Sequence, residues 1–294
     1  MKKRIGWIGT GVMGASMAKH LLLANHSLVI FSRTRKKAES LEQNGAKWVN
    51  SPAEVARETD LIFTMLGYPC DVEDVLLGEN GVFNGVDAGN VLVDMTTSSP
   101  ELARQLSIKF QEKGATFIDA PVSGGDKGAR DGSLVIMCGG DYQVYQEVYP
   151  QFKVLGEQIE WFGESGAGQQ AKMSNQILIA STMIGMVESL LYAERAKLDV
   201  PKVIEILSQG AASCWSLSNL APRILNQDWK PGFYIKHFIK DIEIALDDAS
   251  RMNLNLPGLS LAHEFYQRAK EEGWGDSGTQ ALMKVLRSMN LELK

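Results

Sequence analysis

Cysteine is scarce in this chain: Cys70, Cys138 and Cys214 are the three among 294 residues. They are far apart, odd in number and form no CxxC pair, which argues against a disulfide framework or a zinc site. Scattered reduced thiols are expected in a reducing compartment, so the sequence reads as cytoplasmic. The four histidines, His20, His26, His237 and His263, are equally scattered. None falls in a His/Asp/Glu cluster with ligand spacing, so no metal is expected. Positive charge is not in excess. Lys and Arg number 30 against 35 Asp and Glu, a net charge of -5, which argues against a general binder of nucleic acid or anionic membranes. No uncharged apolar run reaches the roughly 18 residues of a membrane helix. The start, MKKRIGWIGTGVMG, is basic and then apolar like a leader peptide, but glycines break it early and no small-residue cleavage site follows. What remains is 45% hydrophobic and 22% charged, the composition of a soluble globular protein.

The first half alternates two signals. Short apolar runs at Arg4–Gly9, Ser27–Arg33, Asp60–Leu66, Asn90–Met95, Ala115–Ala120 and Ser133–Gly140 read as strands. Helical stretches such as RKKAESLEQNG, stopped by Gly45, and SPELARQLSIKFQEKG lie between them. This alternation predicts an α/β domain with a parallel sheet covered on both faces. After Gly163 the strand signals stop. Amphipathic segments follow at Gln169–Lys197, Pro201–Gln209, Ser213–Leu225, Ile235–Met252, Gly258–Glu271 and Thr279–Met289. The expected organisation is a doubly wound Rossmann domain over 1–163 and an all-helical domain over 164–294.

The turn GTGVMG directly follows the first strand and opens a helix, the setting in which three glycines form a dinucleotide fingerprint. Gly9 permits the tight turn, Gly11 lets the backbone approach a pyrophosphate, and Gly14 allows close packing of helix on sheet. At the end of the second strand, NAD-binding versions place an acid for the ribose 2′-hydroxyl. Here Ser32 stands in its place, followed by Arg33, Thr34, Arg35 and Lys36. Arginine and hydroxyl groups suit a 2′-phosphate, so NADP is favoured over NAD. The plainer reading makes these cations a solvated helix start.

Between Ser165 and Val187 the one charged residue is Lys172. A lysine on a largely buried helix is costly unless it is paired or functional. Asn175 and Gln176, three and four residues on, share its face. The alternative is a lysine snorkelling from the first turn to solvent. In DAPVSGGDKGA, Ser123, Gly124 and Gly125 offer a hydroxyl and free backbone N–H groups, a nest for a carboxylate or else a flexible turn. Lys240 and Asp241, in FIKDIEIALDDA, read by default as a solvated pair, and DMTTSSPE as a strand end and helix cap. Trp215 and Phe233 are candidates for setting pocket size, or plain packing residues.

Taken together, IGWIGTGVMGASMAKHL, VDMTTSSP, DAPVSGGDKGA, GAGQQAKMSNQ and FIKDIEIALDDA, in that order, resemble the β-hydroxyacid dehydrogenase family over almost the whole chain. The resemblance implies an N-terminal Rossmann domain, an all-α C-terminal domain and a homodimer or homotetramer whose contact uses the second domain's long helix. It makes Lys172 the catalytic residue, Asn175 a substrate contact, and Ser123, Gly124 and Gly125 the substrate-carboxylate turn. Gly9, Thr10, Gly11, Val12, Met13, Gly14, Leu66, Gly67 and Thr97 match cofactor contacts, and Lys240 a lysine that reaches the cofactor. Members that prefer NAD tend to carry Asp where this chain has Ser32, and SRT looks like the NRT of NADP-using relatives. With Arg33 and Thr34, Ser32 is therefore a candidate ribose-phosphate contact.

The implied enzyme moves hydride between a nicotinamide and a small carboxylate-bearing aldehyde or 3-hydroxy acid. An NADPH-dependent reductase of a semialdehyde or glyoxylate is favoured. A 3-hydroxyisobutyrate-type dehydrogenase using NAD is the alternative. Outside this chemistry stand an imine reductase, a group that generally lacks the lysine, and a non-enzymatic NADP-binding sensor, which could have lost the lysine or the SGG turn.

Overall fold

The computed structural model describes residues 4–292; Met1–Lys3 of the leader-like start, and the last two residues of the chain, lie outside them. It divides into two compact units, the first ending at Lys172 and the second starting at Met173.

The first unit contains every strand expected from the sequence and three more. The strands are β1 (Arg4–Ile8), β2 (Ser27–Phe31), β3 (Lys47–Trp48), β4 (Leu61–Thr64), β5 (Val91–Asp94), β6 (Thr116–Asp119), β7 (Val122–Ser123), β8 (Leu134–Gly139) and β9 (Gly156–Gly163). They form one sheet in the order β3-β2-β1-β4-β5-β6-β8-β7, with β9 also paired to β8. The first six run parallel in the doubly wound order, which reverses direction at β1 and β4. The sheet is not parallel throughout, which corrects the expectation. β8 runs antiparallel to β6 and β7. The chain turns back through two-residue β7 and the short helix Gly125–Asp131, with no full crossover to carry a parallel return.

Burial on both faces explains the apolar runs. In β4, Leu61 and Phe63 pack into one core cluster and Ile62 into another, as the two-residue period of a strand requires. Trp7 of β1 stacks on Phe63 at 5.7 Å. Helices begin where serine and proline announce them. Ser51 Oγ accepts from Glu54 N ahead of Pro52, and Ser99 Oγ accepts from Leu102 N ahead of Pro100.

The second unit is helical. Its core joins Met183, Met186, Val187 and Leu190 of the helix Ala167–Arg195 to Phe238, Ile242 and Ala245 of the helix Ile235–Arg251. Phe238 meets Tyr266 edge to face at 4.9 Å. The expected helix over Ser213–Leu225 is instead two short ones, Trp215–Asn219 and Ala221–Leu225, and the second opens on Pro222 at its N-terminal turn. A proline has no N–H to continue the first. The helix Ala167–Arg195 is by length and composition apolar enough to cross a membrane. Its longest uncharged stretch is still Met173–Val187, in keeping with the sequence expectation, and its buried face belongs to the core just described.

Candidate active site

The glycine turn separates into two jobs. A Cβ on Gly9, whose φ is 99°, would lie 2.2 Å from Met65 O, and one on Gly14 would lie 2.1 Å from Gly9 O. Both positions therefore exclude a side chain. A Cβ on Gly11 would meet nothing within 4 Å. Gly11 is also the N-cap of the helix Val12–Leu23, which has no side-chain cap and no acid in its first turn. Thr10 is buried, and its hydroxyl has no hydrogen-bond partner among the described residues. Uncapped N–H groups at a positive helix end, an open approach and an unpaired hydroxyl fit the pyrophosphate of a nicotinamide dinucleotide. Val12 is exposed at this edge and Met13 packs against the core beneath it.

The ends of β2 and β4 adjoin this turn. Ser32 is buried. Arg33 Nη1 donates to Asp71 Oδ1 at 2.7 Å. Arg35 pairs with Glu42 at 2.9 Å and lies over the Trp48 ring. Thr34 caps the short turn Arg35–Lys37 without a side-chain hydrogen bond. Both arginines thus have carboxylate partners, while their side chains stay 70% and 64% exposed, as the plainer reading of a solvated helix start requires. Beyond β4, Leu66 N donates to Thr96 Oγ1 at 2.9 Å, and a Cβ on Gly67 would lie 3.1 Å from Asp71 Oδ2. Thr97 is half-buried beside Thr96.

The helix that carries Lys172 is locked at its start. Asp119 closes β6, and its two carboxylate oxygens accept from Gly166 N at 2.7 Å and Gln169 N at 2.8 Å. The fully buried Gln169 side chain accepts from Ser98 N at 2.9 Å and donates to Thr96 O at 2.8 Å. A Cβ on Gly168 would lie 2.5 Å from Met137 O, so only glycine lets the helix come this close to the sheet. One turn on from Gln169, Lys172 is 6% exposed. That overturns the snorkelling alternative. Burial pushes the Asp119 carboxyl above its ordinary value, against the pull of the N–H donors. Its register partner on β5, Asp94, is pushed up to about 6 by burial, although Thr64 and Thr96 donate to it.

Ser123 ends β7, and Gly124 and Gly125 follow with φ of 128° and 62°. Two consecutive residues in the left-handed region leave the start of the helix Gly125–Asp131 without a side-chain cap. In the helical unit a relay of polar groups runs from Asn175 to Lys240. Asn175 Nδ2 donates to Gln176 Oε1 at 2.7 Å, Gln176 Nε2 to Asp241 Oδ2 at 2.6 Å, and Lys240 Nζ lies 2.9 Å from Asp241 Oδ1. The side chains of Lys240 and Asp241 are 11% and 1% exposed. The reading of this pair as solvated is therefore corrected: the helix Ile235–Arg251 buries Asp241 on its core face. Trp215 is exposed, and Phe233 packs on Phe238. Burial pushes the Cys138 thiol well above its usual range. Among the described residues no group of three His, Cys, Asp or Glu side chains is placed to hold a metal ion.

Asp71, Asp119 and Gln169 escaped the sequence reading. Asp119 and Gln169 lie inside quoted motifs, but their partners are 47 to 73 residues away in the chain.

Residues 4–163 match the family model described as the NAD binding domain of 6-phosphogluconate dehydrogenase, and residues 166–286 the NAD-binding domain of NADP-dependent 3-hydroxyisobutyrate dehydrogenase. The chain is 49% identical over 288 residues to a probable 3-hydroxyisobutyrate dehydrogenase-like protein of Arabidopsis thaliana, covering 98% of this chain and 86% of that one. It is 36% identical over 286 residues to 2-hydroxy-3-oxopropionate reductase of Escherichia coli, covering 97% and 98%. The solved structure of Mycobacterium tuberculosis 3-hydroxyisobutyrate dehydrogenase with L-serine superposes with a TM-score of 0.90 at 28% identity, covering 98% and 100%.

Proposed function

Because the chain belongs to the β-hydroxyacid dehydrogenase family of NAD(P)-dependent oxidoreductases, we propose that it reduces a small carboxylate-bearing aldehyde such as a semialdehyde or glyoxylate, using NADPH, with Lys172 as the general acid. Lys172 carries this reading. It is a 6% exposed lysine on the first turns of a helix whose start is bonded to the sheet through Asp119 and Gln169. A rigid mount of this kind holds a proton donor in one place.

A bound nicotinamide supplies the hydride. In this proposal Lys172, as an ammonium, stabilises the alkoxide as it develops and gives it a proton from Nζ. In the oxidative direction the same amine takes the proton back. Ser123, Gly124 and Gly125 hold the substrate carboxylate through a hydroxyl and backbone N–H groups. Asn175 orients the substrate oxygen, and its bond to Gln176 fixes the amide plane. Gly9, Thr10, Gly11, Val12, Met13, Gly14, Leu66, Gly67, Thr97 and Lys240 are the proposed cofactor contacts. Ser32, Arg33 and Thr34 are proposed to read the ribose 2′-phosphate, supported by the missing acid at the end of β2. The reductase name of the Escherichia coli relative supports the direction.

Oxidation of a 3-hydroxyisobutyrate-type acid with NAD is the second reading, favoured by the carboxylate of Asp71 beside Arg33. The proposed enzyme is cytoplasmic, in keeping with its three free cysteines, and binds neither nucleic acid nor membrane. A homodimer or homotetramer is proposed on the long helix. There Leu178 and Tyr192, both exposed, and Gly185 follow at seven-residue spacing and share a face.

The test offers glyoxylate, succinic semialdehyde and tartronate semialdehyde with NADPH or NADH, then 3-hydroxy acids in reverse, and follows nicotinamide absorbance. Lys172→Met is expected to lower kcat by about 10²–10⁴-fold while still binding cofactor. A Lys172→Met enzyme that keeps most of its turnover sinks the mechanism. Turnover of 3-hydroxy acids with NAD alone replaces the first reading by the second.

A further inference from the structure

We propose that Asp71 sets how strongly this enzyme prefers NADP to NAD, by competing with the cofactor's 2′-phosphate for Arg33. The inference rests on the reading above that Arg33 meets the adenosine ribose at the end of β2.

Asp71 is the third residue of the helix Pro69–Leu77, which follows β4. An acid in a first helical turn is ordinary, because it complements the positive end of the helix. Two observations take this one further. Its carboxylate is turned across to the end of β2, where Oδ1 accepts from Arg33 Nη1 at 2.7 Å. Its other oxygen lies 3.1 Å from where a Cβ on Gly67 would stand. Asp71 thus touches the surroundings of two proposed cofactor contacts, one from each strand end. Its side chain is 15% exposed, against 70% for Arg33. The acid is the shielded partner and the guanidinium the exposed one.

The chemistry follows from charge. A guanidinium has five N–H donors, so the bond to Asp71 leaves others for a phosphate. A 2′-phosphate must still approach a carboxylate of like sign, which costs binding. A 2′-hydroxyl carries no such charge and offers a donor that a carboxylate accepts. Asp71 therefore supplies, from another element, the acid that Ser32 does not. Arg33 favours NADP and Asp71 tempers it, so the unaltered enzyme accepts both cofactors.

The experiment measures dissociation constants of NADPH and NADH by fluorescence titration of the full-length protein and of Asp71→Asn, Asp71→Glu, Arg33→Ala and the Arg33→Ala/Asp71→Asn double variant. Thermal melting of each confirms the fold. Asp71→Asn is expected to raise the preference for NADPH over NADH about tenfold. Asp71→Glu, which keeps the charge, stays near the unaltered ratio. The double variant gains less over Arg33→Ala than Asp71→Asn gains over the unaltered enzyme, because only the direct repulsion of the phosphate is then relieved. An unchanged or lowered ratio in Asp71→Asn overturns the inference, as does an equal change in Asp71→Glu, which would assign the effect to packing. If Arg33→Ala itself leaves the ratio unmoved, the underlying NADP reading fails. If Arg33→Ala lowers the ratio and Asp71→Asn does nothing, only the role of Asp71 fails.

Discussion

Two helices start within the first unit, just beyond the carboxyl edge of the sheet, and their starts are treated in opposite ways. The helix Val12–Leu23 has a glycine N-cap, no side-chain acceptor, open space at Gly11 and an unpaired buried hydroxyl at Thr10. The helix Ala167–Arg195 starts against a buried carboxylate that accepts from Gly166 N, just before it, and from Gln169 N in its first turn. Each start has the same donors to satisfy. One leaves them open and the other consumes them internally. On the proposed reading, the start that takes the cofactor is the one at which the chain withholds its own acceptor. Where the acceptor is supplied, the same geometry becomes a mount for the next turn, here the turn of Lys172.

The comparison can be broken most severely at the closed end. Asp119→Ala leaves two buried N–H groups without acceptors, and unfolding free energy is expected to fall by about 2–5 kcal/mol. Chemical denaturation measures it, and an unchanged midpoint would mean that the carboxylate is not the anchor. Asp94→Asn sharpens the picture by removing the neighbouring charge. Its Oδ1 accepts from Thr64 Oγ1 and from Thr96 N, so an amide oxygen can keep both bonds. The folded protein holds the Asp94 proton up to a pH of about 6, above the ordinary 3.8. It therefore binds more protons than the unfolded chain between those values. Stability from this group is lost as pH rises from about 4 to 6, and the penalty is complete above that window. Relative to the unaltered protein, Asp94→Asn should gain about 2 kcal/mol on going from pH 4 to pH 7. A stability difference that does not vary with pH would refute the burial of a charge there. The smallest effect is expected at the open end. Gly11→Asp places an acceptor where a ligand anion belongs and should weaken NADPH binding about tenfold or more, with the melting temperature of the free protein unchanged or raised. Unchanged affinity would mean that the pyrophosphate does not use this end.

The sequence exposes the parts of the molecule that depend on local pattern. β1, β2, β4 and β5 are buried parallel strands, so apolar runs betray them. β9 was invisible because it is mostly exposed and carries Glu157 and Glu160 between its apolar residues. β3 and β7 are two residues each, too short for any periodicity. The glycine turn and the lone lysine were legible because each departs from its surroundings. The Arg33–Asp71 pair, the Asp119 anchor and the Asn175–Lys240 relay were not. Each depends on which residues the fold brings together, and a single sequence carries no record of that.

The Gln169 bonds also tie the lysine's setting to the long-range wiring of the sheet. They join residues 71 and 73 positions apart, and those of Asp119 join residues 47 and 50 apart. The β1–β4 pairing at the centre of the sheet closes a loop of the same order, with partners such as Ile5 and Leu61. The lysine's mount and the middle of the sheet therefore bear the same kind of loop-closure cost, and neither can be assembled from local contacts alone.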